Sequence, residues 1–261
     1  MPRGKRTKAG RDGRPIVTAT KSKPWGLVAA VLILLVFAGG VFGYLFTQMG
    51  DRRAFTPSAS NKDPSTQIPG IIIQHYAGRG HVGPTQRVAY DHSPPFGGPH
   101  DATWAACNGV IYDKPVRNEN MVHALEHGAV WIAYNPAKIT GSALQSLRNR
   151  VQGANYLMLS PYPGMSAPIS LQAWDHQLTV TDPADKRIDQ FIQALRLNQY
   201  IYPEIGASCD QLPGLFDPAN PPPFVAAPPG PDAVPLSYTG GRGAGTGAEA
   251  TPPQPAPPPG G

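Results

Sequence analysis

NENMVHALEHGAVWIAY, residues 118–134, holds the helix-to-strand switch on which the reading of the fold turns. Asn118 is an N-cap residue type, with a short side chain able to accept from the orphan N–H groups of a first helical turn. Glu119–His127 reads as a short helix, and Gly128 as its stop, because glycine takes the left-handed conformation in which helices end. Ala129–Tyr134 is β-branched and aromatic without a charge, the composition of a buried strand. The alternation continues outward from there. Ser142–Val151 reads as a helix with Leu144, Leu147 and Val151 on one face. Tyr156–Ser160 and Ile169–Trp174 read as strands, with His176–Val180 pairing with the second as a hairpin. Asp185–Leu197 is an amphipathic helix with Ile188, Phe191, Ile192 and Leu195 at core spacing. Upstream, Gln86–Tyr90 reads as a short strand leading into a Pro/Gly-rich loop, DHSPPFGGPHD, residues 91–101. The expected class is α+β: a sheet covered by two helices, occupying residues 67–212, near the usual domain size.

What precedes the domain fixes its expected location. Trp25–Gly50 runs without a single charge, and the stretch before it, from Met1 to Pro24, carries eight Lys or Arg. About 20 apolar residues at about 1.5 Å rise cross a bilayer core, so residues 25–47 are expected to form a transmembrane helix. Basic residues stay on the cytoplasmic side, which makes residues 1–24 a basic, disordered cytoplasmic tail. Everything after the span is then extracytoplasmic. A cleaved signal peptide fits less well, because its apolar stretch is shorter and ends in small residues, whereas this one ends in Tyr44, Leu45 and Phe46. Residues 48–66 read as a polar spacer. Residues 213–261 hold 15 Pro and 9 Gly, a composition that buries too little apolar surface to offset its ordering entropy, and are expected to be disordered.

Charge follows the same division. The chain carries +5 in all, but residues 1–50 hold eight basic residues and one acid, leaving 14 basic and 16 acidic in the remainder. The outer part is therefore slightly acidic. The basic tail suits a topology signal or anionic lipid headgroups, and a nucleic-acid role, which needs a basic face on the folded part, is not expected.

Cys107 and Cys209 both fall on the outer side, where two cysteines usually pair. The loop they would close is about a hundred residues long, which the chain-entropy model values at about 4–5 kcal/mol. Two buried free thiols are the alternative.

All seven histidines lie in the domain. His123 and His127 are four apart on the short helix and so share a face, with Glu126 between them in sequence. His100, and His92 with it, sits on the loop that could fold over that face. Imidazole is the commonest protein metal ligand, so His100, His123, Glu126 and His127 form a candidate site for Zn or Cu. Met121, Met158 and Met165 could add thioether ligands for copper. The same residues also admit a structural reading: His127 favoured at a helix C-terminus by the dipole, and His123 and Glu126 satisfied within the core. His123–His127 further spells H-x-x-E-H, the inverzincin protease signature, with Glu126 as base and a distal glutamate such as Glu204 as third ligand. That architecture needs a larger chain, and five letters recur by chance.

Several motifs agree in order and spacing with one family. YDHSPPFGGPHDATWAACNGVIYDKPVRNENMVHALEHGAVWIAYNP, then YLMLSPYPGM, then LQAWDHQL, resembles the actinobacterial family of domain of unknown function 3105 over roughly residues 85–210. The SPP-x-GG-x-H loop falls on Ser93–His100, the NENxVHxLEHGAVWI block on Asn118–Ile132, and SPYPG on Ser160–Gly164. The resemblance implies a membrane-anchored or secreted single-domain protein with cysteines at the places of Cys107 and Cys209. It implies no activity. Three functions stay open: a metal-binding accessory protein of the cell envelope, a scaffold for envelope partners with a structural histidine cluster, and a hydrolase using Glu126 with His123 or His127. No Gly-rich phosphate loop or G-x-S-x-G elbow occurs.

Overall fold

The computed structural model describes residues 25–240. The expected basic tail at 1–24 and the last stretch of the Pro/Gly-rich tail, 241–261, lie outside the described residues. The chain divides into two units, residues 1–48 and 49–261. The first is described by a helix, α1 (Trp25–Ala54), that begins where the uncharged run begins and ends in the second unit. Its stretch Trp25–Phe46, 22 residues of mean hydropathy 2.5, is long and apolar enough to cross a membrane.

The second unit is a mixed α and β domain. Its sheet is built from β1 (Ile72–Ile73), β4 (Asn108–Ile111), β5 (Val130–Tyr134), β6 (Leu157–Pro161), β7 (Ile169–Ala173) and β8 (His176–Val180), in the order β1-β8-β7-β5-β6-β4. The helices of the domain are α2 (Asn118–Glu126), α3 (Gly141–Val151) and α4 (Lys186–Leu195). β5, α3 and β6 form a crossover with parallel strands, while β7 and β8 form an antiparallel hairpin beside β5. Two short parallel strands, β2 (His81–Val82) and β3 (His100–Asp101), make a separate pair.

Alternation along β5 divides the core into two layers. Val130, Ile132 and Tyr134 join Leu147 of α3 and Ile188 and Phe191 of α4 in one cluster. Trp131 and Ala133 join Met121, Val122 and Leu125 of α2 in the other. The two expected helices cover one face, and α2 with the loops around it covers the opposite one. Burial there reaches the polar residues of α2: Glu119, Asn120, His123 and Glu126 are each at most 3% exposed.

Four expectations need correction. Gln86–Tyr90 is not a strand: Val88 makes only a bridge to Val234, and its N–H donates to the Glu119 carboxylate at 3.0 Å. Asn118 lies inside α2 rather than capping it, because Arg117 takes the N-cap position and the Asn118 amide donates to the Tyr162 hydroxyl. The spacer is part of the fold, with Phe55 buried in the α3/α4 cluster and Ser65 fully enclosed. The proline-rich segment up to residue 240 lies along the domain instead of leaving it. Phe216 and Val234 are buried, Arg117 N–H donates to Pro222 O, and Val234 and residues 87–89 exchange two backbone hydrogen bonds. Two apolar anchors and prolines already restricted in the unfolded chain lower the ordering cost that composition alone suggested.

Candidate metal centre

Three elements bring the histidines together. The register of β2 on β3 sets His81 opposite His100, with ring centroids 5.0 Å apart. On α2, the four-residue spacing sets His123 and His127 4.6 Å apart. The His123 ring then lies 4.8 Å from that of His100 and 5.1 Å from that of His81. The helix ends just after the site because Gly128 adopts φ +89° and the Tyr202 ring lies where a Cβ would stand. From there the return segment is tied down by Glu204 N–H donating to Glu126 O, and by the Cys107–Cys209 disulfide.

The ligand atoms fall into two groups. His81, His100, His123 and Glu126 offer one atom each, all within 4.8 Å of one another, and His123, His127 and Glu204 do the same. Three of the imidazoles are oriented alike. Nδ1–H of His100 donates to Gly98 O (2.9 Å), that of His123 to Asp101 O (2.5 Å) and that of His127 to Ser208 O (2.6 Å). A backbone carbonyl only accepts, so each ring holds a proton on Nδ1 and turns Nε2 toward the cluster. Ligating histidines are held by this arrangement, since it fixes tautomer and ring plane together.

One contact is decisive. His100 Nε2 and Glu126 Oε2 lie 2.7 Å apart, with side-chain exposures of 0% and 5%. Both atoms are buried, and neither has a hydrogen-bond partner. Two enclosed lone-pair atoms at that separation repel unless a cation or a proton lies between them. His81 and His123 border the same space.

An Arg117-centred network supports the group from behind. Its guanidinium pairs with Asp101 and, at 3.2 Å, with Glu119, and it donates to the backbone oxygens of Gly83 and Gln86. Asp101 follows His100 and supplies the carbonyl under His123, while Gly83 follows β2, which carries His81. One buried cation thus fixes the strand ends that carry two of the four groups. Trp174 stands edge-on to His100, and Trp104 edge-on to His123 and His127. This aromatic wall lowers the local dielectric. Burial, and the other imidazoles beside it, hold His123 well below the ordinary histidine pKa. Glu204 is held below the ordinary carboxylate value, chiefly by His127 Nε2 at 3.3 Å.

Of the residues singled out from sequence, the structure brings His100, His123 and Glu126 into one group and sets His127 in the second. His92 stands apart, paired with Asp91 and packed on Phe96. Met121, Met158 and Met165 lie in the hydrophobic core of the α2 face. His81 was missed. Nothing local marks it, because its role comes from the pairing of β2 with β3, a strand on the far side of the intervening loop. Glu204 lies 3.3 Å from His127, while Glu126, the base in the H-x-x-E-H scheme, is 5% exposed and lies 2.7 Å from His100.

A family profile described as a protein of unknown function (DUF3105) matches residues 81–211. The match begins at His81 and runs past Cys209, so it encloses both groups and the disulfide. No curated protein and no solved structure matches the chain.

Proposed function

Because the chain belongs to the DUF3105 family, whose description carries no activity, we propose from its own geometry that it is a metal-binding accessory protein of the cell envelope. A single membrane span anchors it, and its domain faces the extracytoplasmic side. The enclosed atoms His100 Nε2 and Glu126 Oε2, 2.7 Å apart without a hydrogen bond and within reach of His81 and His123, carry this reading. A structural cluster would need only a proton between those two atoms, whereas His81 and His123 bring two further ligand atoms to the same space, as an ion requires. Three imidazoles and one carboxylate suit Zn or Cu(II). Four protein ligands at about 2.0–2.1 Å complete a tetrahedral shell and leave no position for a reacting water, so holding or handing on an ion fits better than hydrolysis. The apolar helix Trp25–Phe46, the basic run before it and the Cys107–Cys209 bridge support the location.

The test is elemental analysis of the full chain, purified in detergent from an oxidising compartment without a histidine tag. The full chain is needed because Phe55 and Phe216 belong to the core. Stoichiometric zinc or copper, lost in His100→Ala and in His123→Ala, is the expected result. Protein that stays free of metal after reconstitution overturns the proposal and leaves the envelope-scaffold reading.

A further inference from the structure

The two ligand groups share His123, and that sharing has a direction. Nδ1 of His123 is committed as donor to Asp101 O, so one lone pair, on Nε2, serves both groups. An imidazole with one free nitrogen binds one ion at a time. The groups are therefore alternative positions for a single ion. They differ in the access of their carboxylates: the Glu204 side chain is 38% exposed and that of Glu126 5%, while His100 and His127 are enclosed at 0% and 2% and His81 is half-buried.

We infer that His123, His127 and Glu204 form the entry position of a two-step metal path, from which an ion passes by way of His123 to the His81/His100/His123/Glu126 position, whose carboxylate is enclosed. This rests on the metal-binding reading above and adds its route. An incoming divalent ion meets the Glu204 carboxylate first, because of the two carboxylates it is the one that reaches solvent, and a carboxylate attracts a cation more strongly than the half-buried His81 imidazole does. It gains Nε2 of His127, which Ser208 O holds in place, and then Nε2 of His123. Moving inward, it keeps His123 and exchanges one carboxylate for another, Glu204 for Glu126, and the His127 imidazole for those of His100 and His81. Glu126 replaces Glu204, one imidazole replaces His127 and a second is added, so the ion is never stripped of all its ligands in a low-dielectric interior, where that would be most costly. Release runs the same way in reverse. The Cys107–Cys209 bridge anchors the segment that supplies Glu204 and Ser208, and so holds the entry position over the end of α2.

The test uses Co(II) alone as probe on the full chain in detergent, with the d–d absorption band followed in stopped flow. The ion is then withdrawn by excess chelator. In Glu204→Gln, which keeps the volume and loses the charge, the path predicts unchanged final stoichiometry and band shape, with loading and release both slowed about tenfold or more. His127→Gln should give the same pattern, which guards against a misfolded single variant. Unchanged rates in both variants, two ions per chain at saturation, or a final band altered by Glu204→Gln would each overturn the path while leaving metal binding intact. Absence of any cobalt band in the unmodified chain would instead overturn the reading on which the path rests.

Discussion

At the scale of single residues, His123 is where protonation, the proposed ligation and packing meet. Burial and the neighbouring imidazoles keep it neutral in the folded domain, while in the unfolded chain it takes a proton near pH 6.5. The folded pKa is the lower one, so as pH falls through about 6.5 the unfolded state binds more protons and metal-free stability declines. Denaturant melts of the metal-free protein between pH 8 and pH 5 should show this fall, and His123→Gln should flatten it; a slope untouched by the substitution would assign it elsewhere. Glu126→Gln separates ligation from packing. An amide N–H can donate to His100 Nε2, so this variant should melt no lower than the metal-free parent, and its metal affinity should fall by about 10–100-fold. A lower melting temperature with unchanged affinity would make Glu126 a packing residue. The spacing of His123 and His127 was legible because a helix face is a local, repeating geometry. His81 was not, since its partner is set by a two-residue strand pair that no period announces.

At the scale of elements, what was legible had a period and what was missed borrowed its partners from far along the chain. α3, α4, β5 and the β7–β8 hairpin stand within a residue or two of their sequence reading, because apolar spacing alone decides them. β4 (NGVI) carries a glycine and no flanking pattern. The segment 86–90 has strand composition, yet its neighbours are a carboxylate of α2 and the backbone at Val234, in the proline-rich segment beyond the domain's last helix. That strap is the largest departure, and it makes a prediction at this scale. Phe216 is 2% exposed in the cluster that contains α2, so Phe216→Ala should cost about 3–5 kcal/mol, read as a lower midpoint in urea. A midpoint unchanged by the substitution would mean that the strap is not docked in solution. Replacing both Cys107 and Cys209 by Ser opens the loop that the bridge closes and should cost about 4–5 kcal/mol, with loading of the metal slowed because Glu204 loses its anchor.

At the scale of the whole molecule, the two units divide the work by composition. The basic residues concentrate before the apolar helix, and the slightly acidic remainder folds with a disulfide and a buried imidazole cluster. The apolar helix was the most legible feature, since a long uncharged run and a charge asymmetry are read directly from the letters. The site was half legible: its residue types and one helix face were visible, and its enclosure by β2, β3 and the Arg117 network was not. The central claim is that an ion bridges His100 and Glu126 within a shell completed by His81 and His123. X-ray absorption at the zinc edge of the full chain loaded with one equivalent of zinc tests it most directly. The expected spectrum is a four-coordinate shell of nitrogen and oxygen at about 2.0–2.1 Å, with outer-shell scattering from three imidazoles that drops to two in His81→Ala. A shell of water oxygens alone, or one unchanged by removal of His81, would contradict it.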